Sequence, residues 1–256
     1  AMLLVFDIGN TNITLGVFEG EKLKATWRMA TDVHQMPDEY AARLLTLLHH
    51  RDINKSEINE VALCSVVPPL LGTFIELSQQ YFHVTPLVVG PGIKTGVRIR
   101  MDNPREVGAD RIVDAAAAHH LYDGPVIIVD LGTAITFDTV SKEGDYLGGA
   151  IAPGLLVAAE ALFSRTAALP RIQLMPPKKA IGTNTVDAMQ SGLIYGYVGL
   201  IEGIVSRIQR ELGEKALVVA TGGYAELLTG ETTVIDKVNP DLTLIGLRLI
   251  QLMNKE

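Results

Sequence analysis

Residues 3–18, Leu-Leu-Val-Phe-Asp-Ile-Gly-Asn-Thr-Asn-Ile-Thr-Leu-Gly-Val-Phe, constrain what this chain can fold into more than any other stretch. The apolar run Leu3, Leu4, Val5, Phe6 predicts a buried strand that ends on Asp7. Gly9, Asn10, Thr11 and Asn12 follow, residue types that accept positive φ or bond their own backbone. The alternation Ile13, Leu15, Val17 then predicts a returning strand. A carboxylate delivered by an apolar strand onto such a hairpin suits a magnesium-bound phosphate. The carboxylate reaches the metal or its waters, while turn N–H groups and short hydroxyls face phosphate oxygens. A plain hairpin with a turn aspartate explains one copy equally well.

A second copy changes the balance. Val126 to Val129, Asp130, Leu131, Gly132, Thr133 and Ala134 repeat the order of apolar strand, Asp, Gly and Thr, and Ile135, Thr136 and Phe137 continue as an alternating strand. The two aspartates stand 123 residues apart, nearly half of the 256-residue chain. Two such hairpins, one per half, predict a duplicated domain closing on one ligand.

Composition narrows the remaining classes. A hydrophobic fraction of 48% in 256 residues supplies an ample core without staples. The single cysteine, Cys64, lies in the apolar run 61–67, so it reads as a core residue, and no disulfide can form within one chain. No apolar run approaches 18 residues, and the N-terminal stretch lacks the basic flank of a signal peptide, so no membrane association and a cytoplasmic location are expected. A net charge of −7 with no basic run argues against nucleic acid, whose phosphates must be neutralised by Lys and Arg. An anionic ligand would have to be held locally, by a metal ion, helix N-termini or single arginines.

The rest of the chain follows the same order twice. After the first hairpin, 22–29 predicts a third antiparallel strand, Pro37-Asp38-Glu39 a helix start, 60–67 a doubly buried strand, 69–81 a helix and 87–89 a short strand. A loop leads to 97–99, and a helical region opens at Asn103-Pro104. The second half places strands at 126–131, 135–140, 146–150, 216–220 and 233–235. Its helices are expected at 155–163, 185–212, after Gly223, and from Asn239-Pro240 to Met253. Each half therefore reads as a mixed sheet with helices on its faces, with the domains at 1–119 and 120–256. Within the long helix, Gly192, Gly196, Gly199 and Gly203 line one face. Each costs roughly 0.5–1 kcal/mol against alanine, which close backbone packing would offset, against another helix of this chain or against a second subunit.

Several nucleotide signatures are missing. Gly90 to Thr95 resembles a P-loop, but its Gly-Lys pair is split and no helix follows. No Gly-x-Gly-x-x-Gly follows a strand, and the six histidines lack zinc-ligand spacing. Thr221-Gly222-Gly223, by contrast, ends an apolar strand and begins a helix, so a flat ring such as a purine could lie against the bare backbone above a helix N-terminus. Gly108-Ala109-Asp110-Arg111 joins a glycine, an acid and a base near a helix start. A helix-dipole acid explains it simply. The sharper reading is a general base, kept ionised by the dipole and Arg111, that accepts a proton from a substrate hydroxyl, with Arg111 available for a substrate carboxylate.

These residues carry a resemblance. The two Asp-Gly-Thr hairpins and Thr221-Gly222-Gly223 resemble the two phosphate motifs and the adenosine motif of the acetate and sugar kinase/heat-shock ATPase/actin superfamily. Within it, the stretches 6–12, 103–111, 148–154 and 184–192 are similar to type III pantothenate kinases. The resemblance implies an α/β fold of duplicated ribonuclease H-like (actin-like ATPase) domains, each a mixed five-stranded sheet flanked by helices. It implies ATP-dependent phosphorylation of pantothenate, the first step of coenzyme A synthesis, by a homodimer. It also implies roles. Asp7, Ile8, Gly9, Asn10, Thr11, Asn12, Ile13, Thr14, Thr133, Gly222 and Gly223 would bind ATP, with Asp7 near Mg²⁺. Met101, Gly108, Ala109, Asp110, Arg111 and Thr185 would bind pantothenate, with Asp110 the general base, and Asp130 would hold a monovalent cation, K⁺ or NH₄⁺. Relatives often carry tyrosine where this chain has Met101. The competing readings are a nucleotide-binding regulator or ATPase of the same fold, which would not need Gly108 to Arg111, and a kinase for another small hydroxy acid.

Overall fold

The computed structural model describes residues 1–255. Its ten strands form two five-stranded sheets. The first contains β1 (Met2–Ile8), β2 (Asn12–Glu19), β3 (Lys22–Ala30), β4 (Ile58–Ser65) and β5 (Leu87–Val88), in the order β3-β2-β1-β4-β5. The second contains β6 (Val126–Leu131), β7 (Ala134–Val140), β8 (Tyr146–Pro153), β9 (Leu217–Thr221) and β10 (Lys237–Val238). Its order, β8-β7-β6-β9-β10, repeats the first. In both, the central strand runs antiparallel to the strand that follows it and parallel to the next one beyond. The central strands are buried on both faces, which is why they read as unbroken apolar runs rather than alternating ones.

Seven helices complete the fold: α1 (Pro37–His49), α2 (Pro68–Phe82), α3 (Ala109–Leu121), α4 (Leu155–Arg165), α5 (Thr185–Leu212), α6 (Ala225–Thr229) and α7 (Leu242–Met253). By Cα proximity the chain divides into two compact units. One holds residues 1–97, 103–117 and 243–256, and the other holds 98–102 and 118–242. The division is thus not contiguous in sequence, as a split between residues 119 and 120 would be, because α7 and most of α3 count with the first sheet.

In the first unit, α1 and α2 cover one face of the sheet. Phe74 of α2 stacks edge-on against Phe6 at 5.0 Å and touches Tyr40 of α1 at 4.9 Å. On a second core, Leu3, Val5 and Cys64 pack with Val113 and Ala116 of α3 and Leu244, Leu247 and Ile250 of α7. In the second unit, α5 supplies Leu193, Ile194, Tyr197, Val198, Ile201 and Val205 to the core over β6, β7 and β9. That helix starts where Asn184 caps it, accepting from Asp187 N at 2.9 Å, and stops at Gly213 with φ 70°.

Three local expectations need correction. No strand spans 233–235: Ile235 is buried, Asp236 accepts the Val218 N–H through Oδ2 at 2.8 Å, and pairing begins only at Lys237 with Val219. Asn103-Pro104 opens a single 3-10 turn, 104–106, after which the helix starts at Ala109. Finally, an added Cβ at Gly192, Gly196, Gly199 or Gly203 would meet nothing within 4 Å, so among the described residues no other helix packs on that stripe.

Candidate active site

In the first unit the site begins at the end of β1. Asp7 pairs with Thr14 of β2 on one side and Cys64 of β4 on the other. It is the one residue of its strand left partly open to solvent. Beyond it the turn is fixed by Gly9 N donating to Asn12 O at 3.0 Å. Thr31 braces it from outside, with Oγ1 donating to Gly9 O at 2.7 Å and its N–H to Thr11 O at 3.0 Å. Asn10, Thr11 and Asn12 stand exposed at the tip, while Ile8 and Ile13 anchor it in the core.

Cys64 is fully buried, and its thiol donates to Asp7 Oδ1 at 3.6 Å. Burial first, then the negative charges of Asp7, Asp110 and Asp114, push this thiol well above its usual pKa. It therefore stays a neutral donor. Asp7, from β1, thus meets this buried side chain directly, while the charges of Asp110 and Asp114, from α3, act on it through space. Asp114, one turn after Asp110 and also buried, accepts from Thr243 Oγ1 of α7 at 2.6 Å.

Asp110 occupies the first turn of α3, and its carboxylate accepts from its own N–H and from that of Arg111. It folds back so closely that a Cβ at Gly108 would sit 2.8 Å from its Oδ1, which explains the glycine. The expectation that dipole and Arg111 dominate its ionisation reverses here. Burial is the largest effect and raises its pKa above the ordinary carboxylate value, and the Arg111 charge and the two backbone N–H bonds only partly oppose it.

The second unit holds a parallel constellation. Asp130 pairs with Thr136 of β7 and Thr221 of β9, so Thr221 stands to Asp130 as Cys64 stands to Asp7. Gly222 has φ +93°, and a Cβ on it would lie 2.6 Å from Asp130 Oδ1 and 2.7 Å from Leu131 O. The Thr133 carbonyl accepts Gly154 N at 3.1 Å, which ties the 148–154 motif to the same hairpin. Gly223 is exposed beside it. The helix after it, α6, has only five residues and offers a meagre dipole.

Met101 and Thr185 also belong to this unit. Met101 is half-buried, with Sδ 3.0 Å from a Cβ position on Gly148. Thr185 opens α5 and lines an open groove of about 540 Å³ with Leu162, Leu169, Met189, Gly192 and Leu193. Sequence reasoning missed Cys64, Asp114 and Thr221 as neighbours of the acids. Their only signal is strand register or helical spacing, which needs the partner element to be known.

Among the described residues no group of three or more His, Cys, Asp or Glu could hold a metal ion. What remains fits a magnesium ion carried by nucleotide phosphates, which needs only one or two protein carboxylates. Asp130 Oδ1 and Leu131 O both lie against the bare Cα of Gly222, a carboxylate and a carbonyl oxygen beside one backbone position.

Two mixed five-stranded sheets of identical order, each with an aspartate at the penultimate residue of its central strand, define a protein of the actin-like ATPase fold. A polyphosphate/ATP-glucomannokinase from Arthrobacter sp. strain KM shares that fold, with TM-score 0.50 and 15% identity over 99% of this chain and 100% of that one. So does a Campylobacter jejuni protein described as of the Baf family of transcriptional activators, with TM-score 0.63 and 20% identity over 98% of each chain. Residues 3–207 match the type III pantothenate kinase family. A protein of Dehalococcoides mccartyi strain CBDB1 described as a type III pantothenate kinase is 60% identical over 253 residues, 99% of this chain and 96% of that one. The chain belongs to the type III pantothenate kinase family.

Proposed function

We propose that the chain transfers the γ-phosphoryl group of ATP to the terminal hydroxyl of pantothenate, in coenzyme A biosynthesis, with Asp110 as general base. What supports the base assignment is the place of Asp110 in the first turn of α3, in the unit that also holds Asp7, folded back against the bare backbone of Gly108. Phosphoryl transfer asks for positioning and charge neutralisation more than covalent chemistry. Asp110 accepts the hydroxyl proton as the new O–P bond forms and the bond to the ADP oxygen breaks. Asp7 to Thr14, Thr133, Gly222 and Gly223 bind ATP, and Gly108 to Arg111, Met101 and Thr185 bind pantothenate, with Arg111 on its carboxylate. Asp7 would hold Mg²⁺ and Asp130 a monovalent cation, K⁺ or NH₄⁺, and these ions neutralise phosphate charge when bound.

ADP release is the direct test, measured across a panel of hydroxy-acid acceptors with Mg²⁺ and with Na⁺, K⁺ or NH₄⁺. Release that needs pantothenate and K⁺ or NH₄⁺ is expected. Hydrolysis indifferent to pantothenate would point instead to a regulator or ATPase of the same fold.

The functional form is proposed to be a homodimer acting in the cytoplasm. Its support is the exposed, unpacked glycine stripe of α5 together with exposed apolar side chains of the same unit, Leu156, Val157, Ile181 and Val186. No helix among the described residues is long and apolar enough to cross a membrane. Sedimentation equilibrium should give the mass of two chains at micromolar concentration. A single-chain mass would remove the dimer.

A further inference from the structure

Residues 98–102 are flanked on both sides by residues of the first unit, yet they count with the second. What holds them there is specific. Tyr146 N donates to Arg98 O and Arg100 N to Tyr146 O, each at 2.8 Å, so that Ile99 forms a parallel bridge with the first residue of β8. Arg100 Nε then binds Asp145 Oδ2 at 2.9 Å. Tyr146 itself is 1% exposed, and its hydroxyl donates to the buried Asp138 at 2.6 Å. The five-residue strap is thus bonded at two backbone points and one charged pair to a strand start rooted in the core. The next side chain along it is Met101, whose Sδ touches the Gly148 position.

We propose that Arg100 and Asp145 are positioning residues for pantothenate, acting by fixing the strap so that Met101 presents one geometry to the substrate. The proposal rests on the assignment of Met101 to the pantothenate site made above. A thioether side chain has three flexible torsions and no directional bond to orient itself, so its placement falls to the backbone that carries it. Arg suits that task because its planar fork loses little freedom on binding a carboxylate. The pair is partly open to water, with Arg100 50% and Asp145 17% exposed. Its removal is therefore not expected to unfold the chain.

The test compares steady-state kinetics of Arg100→Ala, Asp145→Ala, the double variant, Arg100→Lys and Met101→Ala, with thermal unfolding in parallel. Each of the first two should raise the pantothenate KM about tenfold with the ATP KM unchanged, as displacement of a positioning group does. The double variant should be no worse than either single one, and Arg100→Lys should recover part of the loss. Adding Arg100→Ala to Met101→Ala should change the pantothenate KM less than twofold, since the pair acts through Met101. A pantothenate KM within twofold of wild type in both Arg100→Ala and Asp145→Ala, while Met101→Ala raises it, would overturn the proposal and leave the site assignment standing. A silent Met101→Ala would remove the site assignment and the proposal together. Equal rises in both KM values would mark a general defect and also overturn it.

Discussion

Asp110→Asn is expected to lower kcat by roughly 10²- to 10⁴-fold, the usual worth of a positioned general base, while ATP still binds. The amide keeps the size and the backbone acceptor of the carboxylate and loses only its capacity to take a proton. The raised pKa of Asp110 adds a signature in pH. The acid limb of kcat/KM for wild type should lie above the value of about 3.9 usual for aspartate, and the variant's residual rate should lose that limb. Stability follows with the opposite sense. A folded-state pKa above the unfolded one means that the contribution of this group is fully present below the unfolded value and is lost as pH rises through the folded value. The variant should therefore unfold at higher denaturant than wild type at neutral pH, and the gap should close toward pH values of about 3. Wild-type turnover, or a stability gap that widens on acidification, would remove the base role.

Gly222→Ala is the second large effect. The residue's φ of +93° is closed to L side chains, and the new methyl would press on Asp130 Oδ1 and the Leu131 peptide. Backbone strain of about 1–3 kcal/mol and overpacking of about 1–3 kcal/mol together give a loss of roughly 2–6 kcal/mol. The relief available is displacement of Asp130 or of the turn, so ATP affinity and cation dependence should fall with stability. Gly230→Ala is the control: with φ outside the left-handed region and its nearest neighbour at 4.0 Å, it should stay within about 0.5 kcal/mol of wild type. Urea midpoints and calorimetric ATP binding measure both. A Gly222→Ala protein as stable and as tight-binding as Gly230→Ala would show that the close approach is unimportant.

Much of the fold is legible because its central strands announce themselves. Leu3 to Phe6 and Val126 to Val129 are apolar throughout because the strands are buried on both faces, and each is followed by an acid at the strand's penultimate position. The long α5 is legible from end to end, with Asn184 to start it and Gly213 to stop it. Legibility fails where a partner decides. Thr233-Val234-Ile235 has the composition of a strand, but the first bonds to β9 come from Asp236, whose carboxylate accepts the Val218 N–H and whose own N–H donates to Val218 O, and the ladder begins at Lys237. The direction of the Asp110 pKa shift is not legible because its neighbours in sequence are a helix start and an arginine, whereas the burial that raises it depends on what packs around it. Cys64 reads as filler because its contact with Asp7 depends on the register of β4 against β1. The kinase class and the family were readable from motifs spread along the chain. The bonds that hold the acids in place were not.

The membership of α7 in the first unit has a consequence for how the protein is made. Leu244, Leu247 and Ile250 complete a core whose other members include Leu3 and Val5, so that face of β1 is covered only once residues far later in the sequence are in place. A nascent chain stalled before residue 243 would keep that side of β1 uncovered, a surface for chaperones to hold.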